Sequence, residues 1–233
     1  MTPEPSNSPK SLFDLVVAAD FAATPRALWL FHAACARRVA DVLPDDNARS
    51  LIELTEQVAD GVISIEQWGQ AAYEVIDPYV GNERARDGAG GATFGLLMHL
   101  YPGEARATRH VAGSVIEARA YRAATHGHPT AMTRDQWVAE SVVDEEAALL
   151  RLFHCLFDGT DRSVRFLPEW RTATVQALAE GIYAQQTFDR LPILADALQD
   201  AGCDAADVLA HCRSTGPHAR GCWVIDRVLG RER

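Results

Sequence analysis

The chain has 233 residues, 48% of them hydrophobic, and a formal net charge of −10. A chain of this length and apolar content can bury a full hydrophobic core, so we expect a globular protein. The excess of acidic side chains would repel a polyanion over most of the surface, which argues against nucleic-acid binding.

The distribution of apolar residues and cysteines narrows the class of protein further. The sequence lacks the uninterrupted run of about 20 apolar residues that a transmembrane helix needs. The stretch MTPEPSNSPK has no long apolar segment after its lysine, which argues against a secretory signal and predicts a cytoplasmic protein. Five cysteines, an odd number, fit reduced thiols better than a disulfide framework.

Helix-starting residues organise the first part of the chain. Residues 1–10 are polar and proline-rich and predict a flexible tail. Thr24 is a predicted helix N-cap, and the run Asp45-Asp46-Asn47 is predicted to cap the next helix. Ser64 and Thr133 are predicted N-caps with a glutamine three residues later, the pattern of a capping box. The segment 81–92 is rich in glycine and charge without a hydrophobic period, so it predicts a mobile loop.

Helical periodicity continues to the end of the chain. The predicted helices cover 11–20, 24–44, 45–60, 64–77, 93–100, 103–125, 133–157, 170–186, 189–201, 204–214 and 217–229. No run of alternating β-branched residues predicts a strand. We therefore predict an all-α fold, an irregular multi-helix bundle or array with short loops. We predict a helical region over 11–157 and a C-terminal helical subdomain over 165–233. The two form either separate domains or one continuous domain.

Cysteine and histidine crowd together near the end of the chain. Cys203, His211, Cys212, His218 and Cys222 fall within twenty residues. Cysteine and histidine are common zinc ligands, but the spacing of these five residues matches no established zinc motif. If 217–229 is a helix, His218 and Cys222 share one of its faces, and the preceding helix ends close by, across a short turn.

The candidate metal site is therefore a tetrahedral zinc ion held for structural purposes by His211, Cys212, His218 and Cys222. Neighbouring residues such as His211 and Cys212 rarely point the same way on a helix, which argues against this set. The alternative is that His211 bonds a carbonyl at its helix end, while the cysteines behave as small buried hydrophobes.

Catalysis is the weaker hypothesis. Cys222 with His218 as its base could form a thiol enzyme, but the backbone N–H of a mid-helix cysteine is already used and cannot stabilise an oxyanion. The remaining acidic candidates, Glu53 and Glu56 in one helix and Asp144 to Glu146 in another, predict solvated helix faces. We expect no catalytic residue and no bound cofactor other than zinc.

Three segments carry long, specific motifs: WLFHAACARRVADVLPDDNARSLIELTEQVADG at 29–61, LLRLF at 149–153, and IYAQQTFDRLPILADALQDAGCDAADVLAHCRSTGPHARGCWVIDRVLG at 182–230. Together they resemble a family of bacterial helical proteins that is multiplied in some large genomes and has no established activity. Multiplied families of this kind often serve as interaction or regulatory modules, by analogy. The resemblance therefore implies a non-catalytic module that binds a protein partner, with the structural zinc site and the thiol enzyme as alternatives.

Overall fold

The fold is described from a computed structural model. The structure describes residues 11–12, 14–15, 24–43, 45–77, 95–97, 99–100, 107–127, 129, 131–158 and 166–231. These residues contain no strand, so the prediction of an all-α fold is confirmed. The α-helices are α1 Pro25–Arg37, α2 Asp46–Ala59, α3 Ile65–Ile76, α4 Ala107–Thr125, α5 Arg134–Phe157, α6 Ala173–Gln185, α7 Leu191–Asp200, α8 Ala206–Arg213 and α9 Trp223–Leu229. Two short 3₁₀ turns, Pro168–Trp170 and Phe188–Arg190, flank α6. The predicted tail at 1–10 and the predicted loop at 81–92 lie outside the described residues.

Four predicted N-caps are confirmed. The side chains of Thr24 and Asp45 accept hydrogen bonds from backbone N–H groups in the first turns of α1 and α2. Ser64 and Thr133 each form a complete capping box with the glutamine three residues later. These bonds satisfy N–H groups that have no partner within the helix, which is why short polar side chains define these starts.

Helix ends depart from the sequence prediction in three places. Helix α1 ends at Arg37 rather than at residue 44, and residues 38–42 continue as tight turns. Helix α8 begins at Ala206 rather than at residue 204, and its N-cap, Ala205, makes no side-chain cap bond. Helix α9 begins at Trp223 rather than at residue 217, because Gly221 adopts a left-handed φ of 86°, which interrupts an α-helix.

One hydrophobic core includes side chains from both predicted regions of the chain. Phe31 of α1 packs edge-on against Phe153 and Phe157 of α5, with ring centroids 5.9 and 5.6 Å apart. Leu194 of α7 and Val224 of α9 are fully buried in the same cluster. The C-terminal helices are therefore packed onto the N-terminal ones, and α5 lies next to the segment that precedes α9.

Buried carboxylates tie the helices together. The prediction that Glu56 and Glu145 lie on solvated faces is wrong, because each residue is only 3% exposed. Arg37 Nε lies 2.6 Å from Glu56 Oε1. Arg38 forms a bidentate salt bridge with Glu145, in which Nε and Nη2 each donate to one carboxylate oxygen. Arginines from elsewhere in the fold compensate these carboxylates for the loss of water around them. The periodicity of a helix in the sequence does not reveal such partners.

None of the described helices has the length and apolar character needed to cross a membrane.

Candidate metal centre

Four metal-ligating side chains converge where α5, α8 and the segment before α9 meet. They are Cys155 from the end of α5, His211 from the last turn of α8, and His218 and Cys222 from the segment between α8 and α9. One ligand atom from each residue lies within 4.8 Å of every other. Both sulfurs are buried and both imidazoles are half-buried, so the group lies at the edge of the core.

The spacing of these atoms suits a tetrahedral ion. Nε2 of His211 lies 3.2 Å from Sγ of Cys222, and Nδ1 of His218 lies 3.4 Å from Sγ of Cys155. Around a tetrahedral zinc with Zn–S near 2.3 Å and Zn–N near 2.1 Å, a sulfur and a nitrogen are about 3.5 Å apart. The two nitrogen–sulfur separations are therefore close to those of a zinc site.

The turn between α8 and α9 brings two of the ligands to α5. Gly221, at a φ of 86°, reverses the chain just before Cys222. A Cβ atom at this position would lie 2.9 Å from Cδ1 of Leu30 and 3.4 Å from Cδ2 of Leu156. A larger residue would force the Leu30 side chain to move and would be strained at this φ, so glycine suits this close approach to α1 and α5.

A second hydrogen bond orients His218. Its Nε2 lies 3.3 Å from the carbonyl oxygen of Ser214 and 3.2 Å from the Ser214 hydroxyl. An Nε2–H that donates to the carbonyl leaves the lone pair on Nδ1, the nitrogen that faces Cys155. Histidines that bind metal typically hold their second nitrogen in this way.

The protonation of the group favours one thiolate even without an ion. Burial tends to raise the pKa of Cys222, but hydrogen bonds from Cys155, His211 and His218 outweigh it and hold that pKa well below its usual value. Burial tends to lower the pKa of His218, and the interaction with Cys222 raises it above its usual value. Burial and the neighbouring Cys222 thiolate raise the pKa of Cys155.

A dication would change this balance in a defined direction. It would stabilise a second thiolate on Cys155 and displace the proton from His218, since metal ligands bind in their deprotonated forms. Two thiolates, two neutral imidazoles and one dication have no net charge. A neutral group of this kind is far cheaper to bury than a lone thiolate.

The structure brings together three of the four ligands named from the sequence. His211, His218 and Cys222 belong to the group, whereas Cys212 does not, and Cys155 stands in its place. Successive residues on an α-helix point about 100° apart, so His211 and Cys212 cannot both face one centre. A helix over 217–229 would place His218 and Cys222 on one face, but residues 217–222 are not helical.

Sequence reasoning missed Cys155 because nothing local distinguishes it. It lies 63 residues before His218, within an apolar stretch of α5, and such a cysteine is typical of a core position. Cys203 is buried and lies outside the group as well. The only sequence signal for Cys155 is its residue type.

Comparison of the chain with protein-family models, with curated proteins and with solved structures finds no match. The resemblance to a multiplied bacterial family therefore stays an expectation.

Proposed function

We propose that this protein binds one zinc ion through Cys155, His211, His218 and Cys222, and that the ion stabilises its C-terminal helices. The observation that supports the proposal is the convergence of four ligand atoms within 4.8 Å of one another. Two cysteines and two histidines form a common ligand set for tetrahedral zinc.

A structural role follows from the number of ligands. Four protein ligands complete a tetrahedron and leave no position for a reacting water or substrate, unlike catalytic zinc sites with three protein ligands. The ion would link α5 to α8 and the segment before α9, which lie far from α5 along the chain. Because no such site exists in the unfolded chain, the free energy of zinc binding adds to the free energy of folding.

The zinc content of protein purified without an affinity tag tests the proposal. We expect about one zinc per chain by elemental mass spectrometry, as in other four-ligand structural sites. Cys155→Ala, His218→Ala and Cys222→Ala should each lose most of the zinc. Removal of zinc by a chelator should lower the melting temperature of the wild-type protein.

Cys212→Ala is the matched control, since Cys212 is buried and close to the group but outside it. It should keep its zinc even if it lowers stability. Well-folded wild-type protein without zinc would overturn the proposal. Loss of zinc from Cys212→Ala together with its retention in Cys155→Ala would show that the ligand set is wrong.

The thiol-enzyme hypothesis receives little support from the geometry. Cys222 is 0% exposed, so a substrate could not reach its sulfur without a change in the structure. Its backbone N–H donates to the Ala219 carbonyl at 3.0 Å and is not free to stabilise an oxyanion. The low pKa of Cys222 fits metal binding as well as nucleophilic chemistry.

Binding of a protein partner stays a prediction. It requires an apolar surface patch. The exposed large hydrophobic side chains among the described residues include Val62, Ile65 and Tyr73, which lie at and after the α2–α3 turn. A partner and a zinc ion are compatible, because these three residues lie outside the zinc group.

A further inference from the structure

A cavity next to the candidate zinc group is lined by three arginines. It has a volume of about 280 Å³ and lies between α1, α2, α5 and the segments around residues 186–188 and 217–220. Arg37, Arg38 and Arg220 line it together with a single carboxylate, that of Glu56. Three cations around one cavity are unexpected in a chain with a net charge of −10.

The three arginines keep hydrogen-bond donors that their partners do not use. Arg37 donates to Glu56 through Nε and Nη2, and Arg38 donates to Glu145 through the same two atoms. Arg220 reaches Glu56 through Nη1, at 3.3 Å. Among the described residues, Nη1 of Arg37, Nη1 of Arg38 and Nη2 of Arg220 have no hydrogen-bond partner.

These side chains are held in place and remain accessible. The carboxylates of Glu56 and Glu145 are each 4% exposed, whereas the side chains of Arg37, Arg38 and Arg220 are 34, 28 and 20% exposed. The ring of Tyr183 supports the Arg220 guanidinium, with its carbon atom 5.2 Å from the ring centroid. Buried carboxylates thus orient the arginines, and the unused N–H groups stay within reach of a ligand.

The backbone at the edge of the cavity has an uncommon conformation. Gln186, at the end of α6, has a φ of 54°, the only positive φ of a non-glycine residue in the part of the chain that the structure describes. Its side chain lines the cavity and donates to Glu56 Oε2 at 3.2 Å. This left-handed residue is the C-cap of α6, and its N–H bonds to the Ile182 carbonyl, so it ends the helix at the edge of the cavity. The glutamine adds a further polar group beside the arginines.

We propose that this cavity binds the oxyanion group of a small organic anion, either a carboxylate or a phosphate ester. Guanidinium groups form paired hydrogen bonds with both kinds of oxyanion. The apolar part of the lining, which includes Leu152, Phe188 and Pro217, accommodates the organic part of the ligand. The volume lies near the lower end of the range for small-molecule sites, so the ligand is a small metabolite rather than a polymer.

Calorimetric titration of the wild-type protein at fixed ionic strength tests this proposal. The probes are benzoate, phenyl phosphate and inorganic phosphate, with neutral benzamide as the uncharged counterpart of benzoate. We expect saturable binding of benzoate or phenyl phosphate and none of benzamide. Benzoate without phenyl phosphate would assign a carboxylate ligand, and the reverse would assign a phosphate ester.

Three variants place the binding in the cavity. Arg220→Gln removes one guanidinium and should weaken binding at least about tenfold, as loss of a paired charge does elsewhere. Ala219→Leu fills the cavity without changing its charge and should also weaken binding, because the larger side chain occupies the space of the ligand. Arg213→Gln is the control, since Arg213 pairs with Asp196 outside the cavity. Far-ultraviolet circular dichroism confirms that each variant is folded.

No saturable binding of either aromatic anion to the wild-type protein would overturn the proposal. So would equal binding of benzamide, or unchanged affinity in whichever of Arg220→Gln and Ala219→Leu folds. His218 belongs to the zinc ligand set and also lines the cavity, whereas the three arginines lie outside that set. Absence of zinc with anion binding intact would refute the zinc proposal alone. The reverse result would refute the anion proposal alone.

Discussion

At the scale of single residues, the environment of a side chain decides its chemistry. Cys155 and Cys212 are both buried thiols, yet only Cys155 faces two imidazoles and a second sulfur. Glu56 and Glu145 are acidic residues on helices, yet arginines from elsewhere in the fold surround them. The same residue type is therefore a ligand, a core group or an ion-pair partner, depending on residues distant along the chain.

Trp223 offers a prediction at this scale. Its ring is buried, lies 5.2 Å from the His211 ring and is covered by the Arg227 guanidinium. We expect Trp223→Ala to lower the free energy of unfolding by about 3–5 kcal/mol, the usual cost of removing a large buried aromatic side chain. Denaturant unfolding measures this change.

Trp223→Phe is the matched control for this prediction. The buried Nε1 of Trp223 has no hydrogen-bond partner among the described residues. Phenylalanine keeps most of the apolar contact and removes this unsatisfied donor, so the loss should be well below that of alanine. Equal losses in the two variants, or no loss in the alanine variant, would contradict this account of the packing.

At the scale of elements, the turn between α8 and α9 positions the candidate zinc ligands. Helix α8 has eight residues and α9 has seven, too short to be stable alone, so tertiary packing must hold both. The segment between them is irregular and supplies His218 and Cys222. Its geometry depends on one left-handed glycine that lies against α1 and α5.

Gly221 and Gly202 form a matched pair for testing this turn. Both have a φ of 86°, but a Cβ would meet Leu30 at Gly221 and would meet nothing within 4 Å at Gly202. Gly202→Ala should cost only the backbone strain of about 1–2 kcal/mol. Gly221→Ala should cost about 1–3 kcal/mol more, because the added methyl group overpacks the contact with α1.

Denaturant unfolding of both alanine variants checks the difference, and zinc content provides a second measurement. Gly221→Ala should hold zinc less tightly than Gly202→Ala, because the displaced turn carries Cys222. Equal unfolding free energies in the two variants would show that close packing of this turn contributes nothing to stability.

At the scale of the whole molecule, two buried titratable groups join distant parts of the chain. His32 of α1 is fully buried, with Nδ1 3.2 Å from the Leu100 carbonyl and Nε2 2.9 Å from the Thr108 hydroxyl. Asp226 of α9 bonds to Arg26 of α1 at 2.5 Å. Burial affects the pKa values of the two groups in opposite directions.

These pKa shifts predict opposing effects of pH on stability. Burial lowers the pKa of His32 to about 4, so its contribution is complete above the unfolded pKa of about 6.5 and is lost as the pH falls towards 4. Burial outweighs the bond to Arg26 and raises the pKa of Asp226 to about 6. The contribution of Asp226 is therefore complete below its unfolded pKa of about 3.9 and is lost as the pH rises through 6.

Variants should separate these two effects, each worth about 3 kcal/mol at 1.36 kcal/mol per pKa unit. Between about pH 4 and pH 6, Asp226→Asn should make stability rise more steeply with pH than in the wild type, because the opposing Asp226 effect is removed. His32→Gln should make the slope of stability against pH more negative than in the wild type over the same window, because the His32 effect is removed. Unfolding free energies measured across this window check the signs, and parallel curves for both variants and the wild type would refute the assignment.

Much of the helical framework could be predicted from the sequence, and little of the candidate site. The N-caps at Thr24, Asp45, Ser64 and Thr133 depend on bonds to a residue three positions away, so local sequence contains the whole interaction. The start of α9 could not be predicted from local sequence. Gly221, near the end of the non-helical segment, has a left-handed φ and lies against Leu30, which is far away along the chain.

The sequence by itself determined the all-α class, most helix starts and the presence of a crowded group of cysteine and histidine side chains. Only the tertiary structure decided that Cys155 rather than Cys212 completes that group, and that Arg37, Arg38 and Arg220 surround one cavity. The physical reason is the range of the interactions. Helix propensity and capping act within a few residues, whereas ligand convergence and buried ion pairs depend on how distant helices pack.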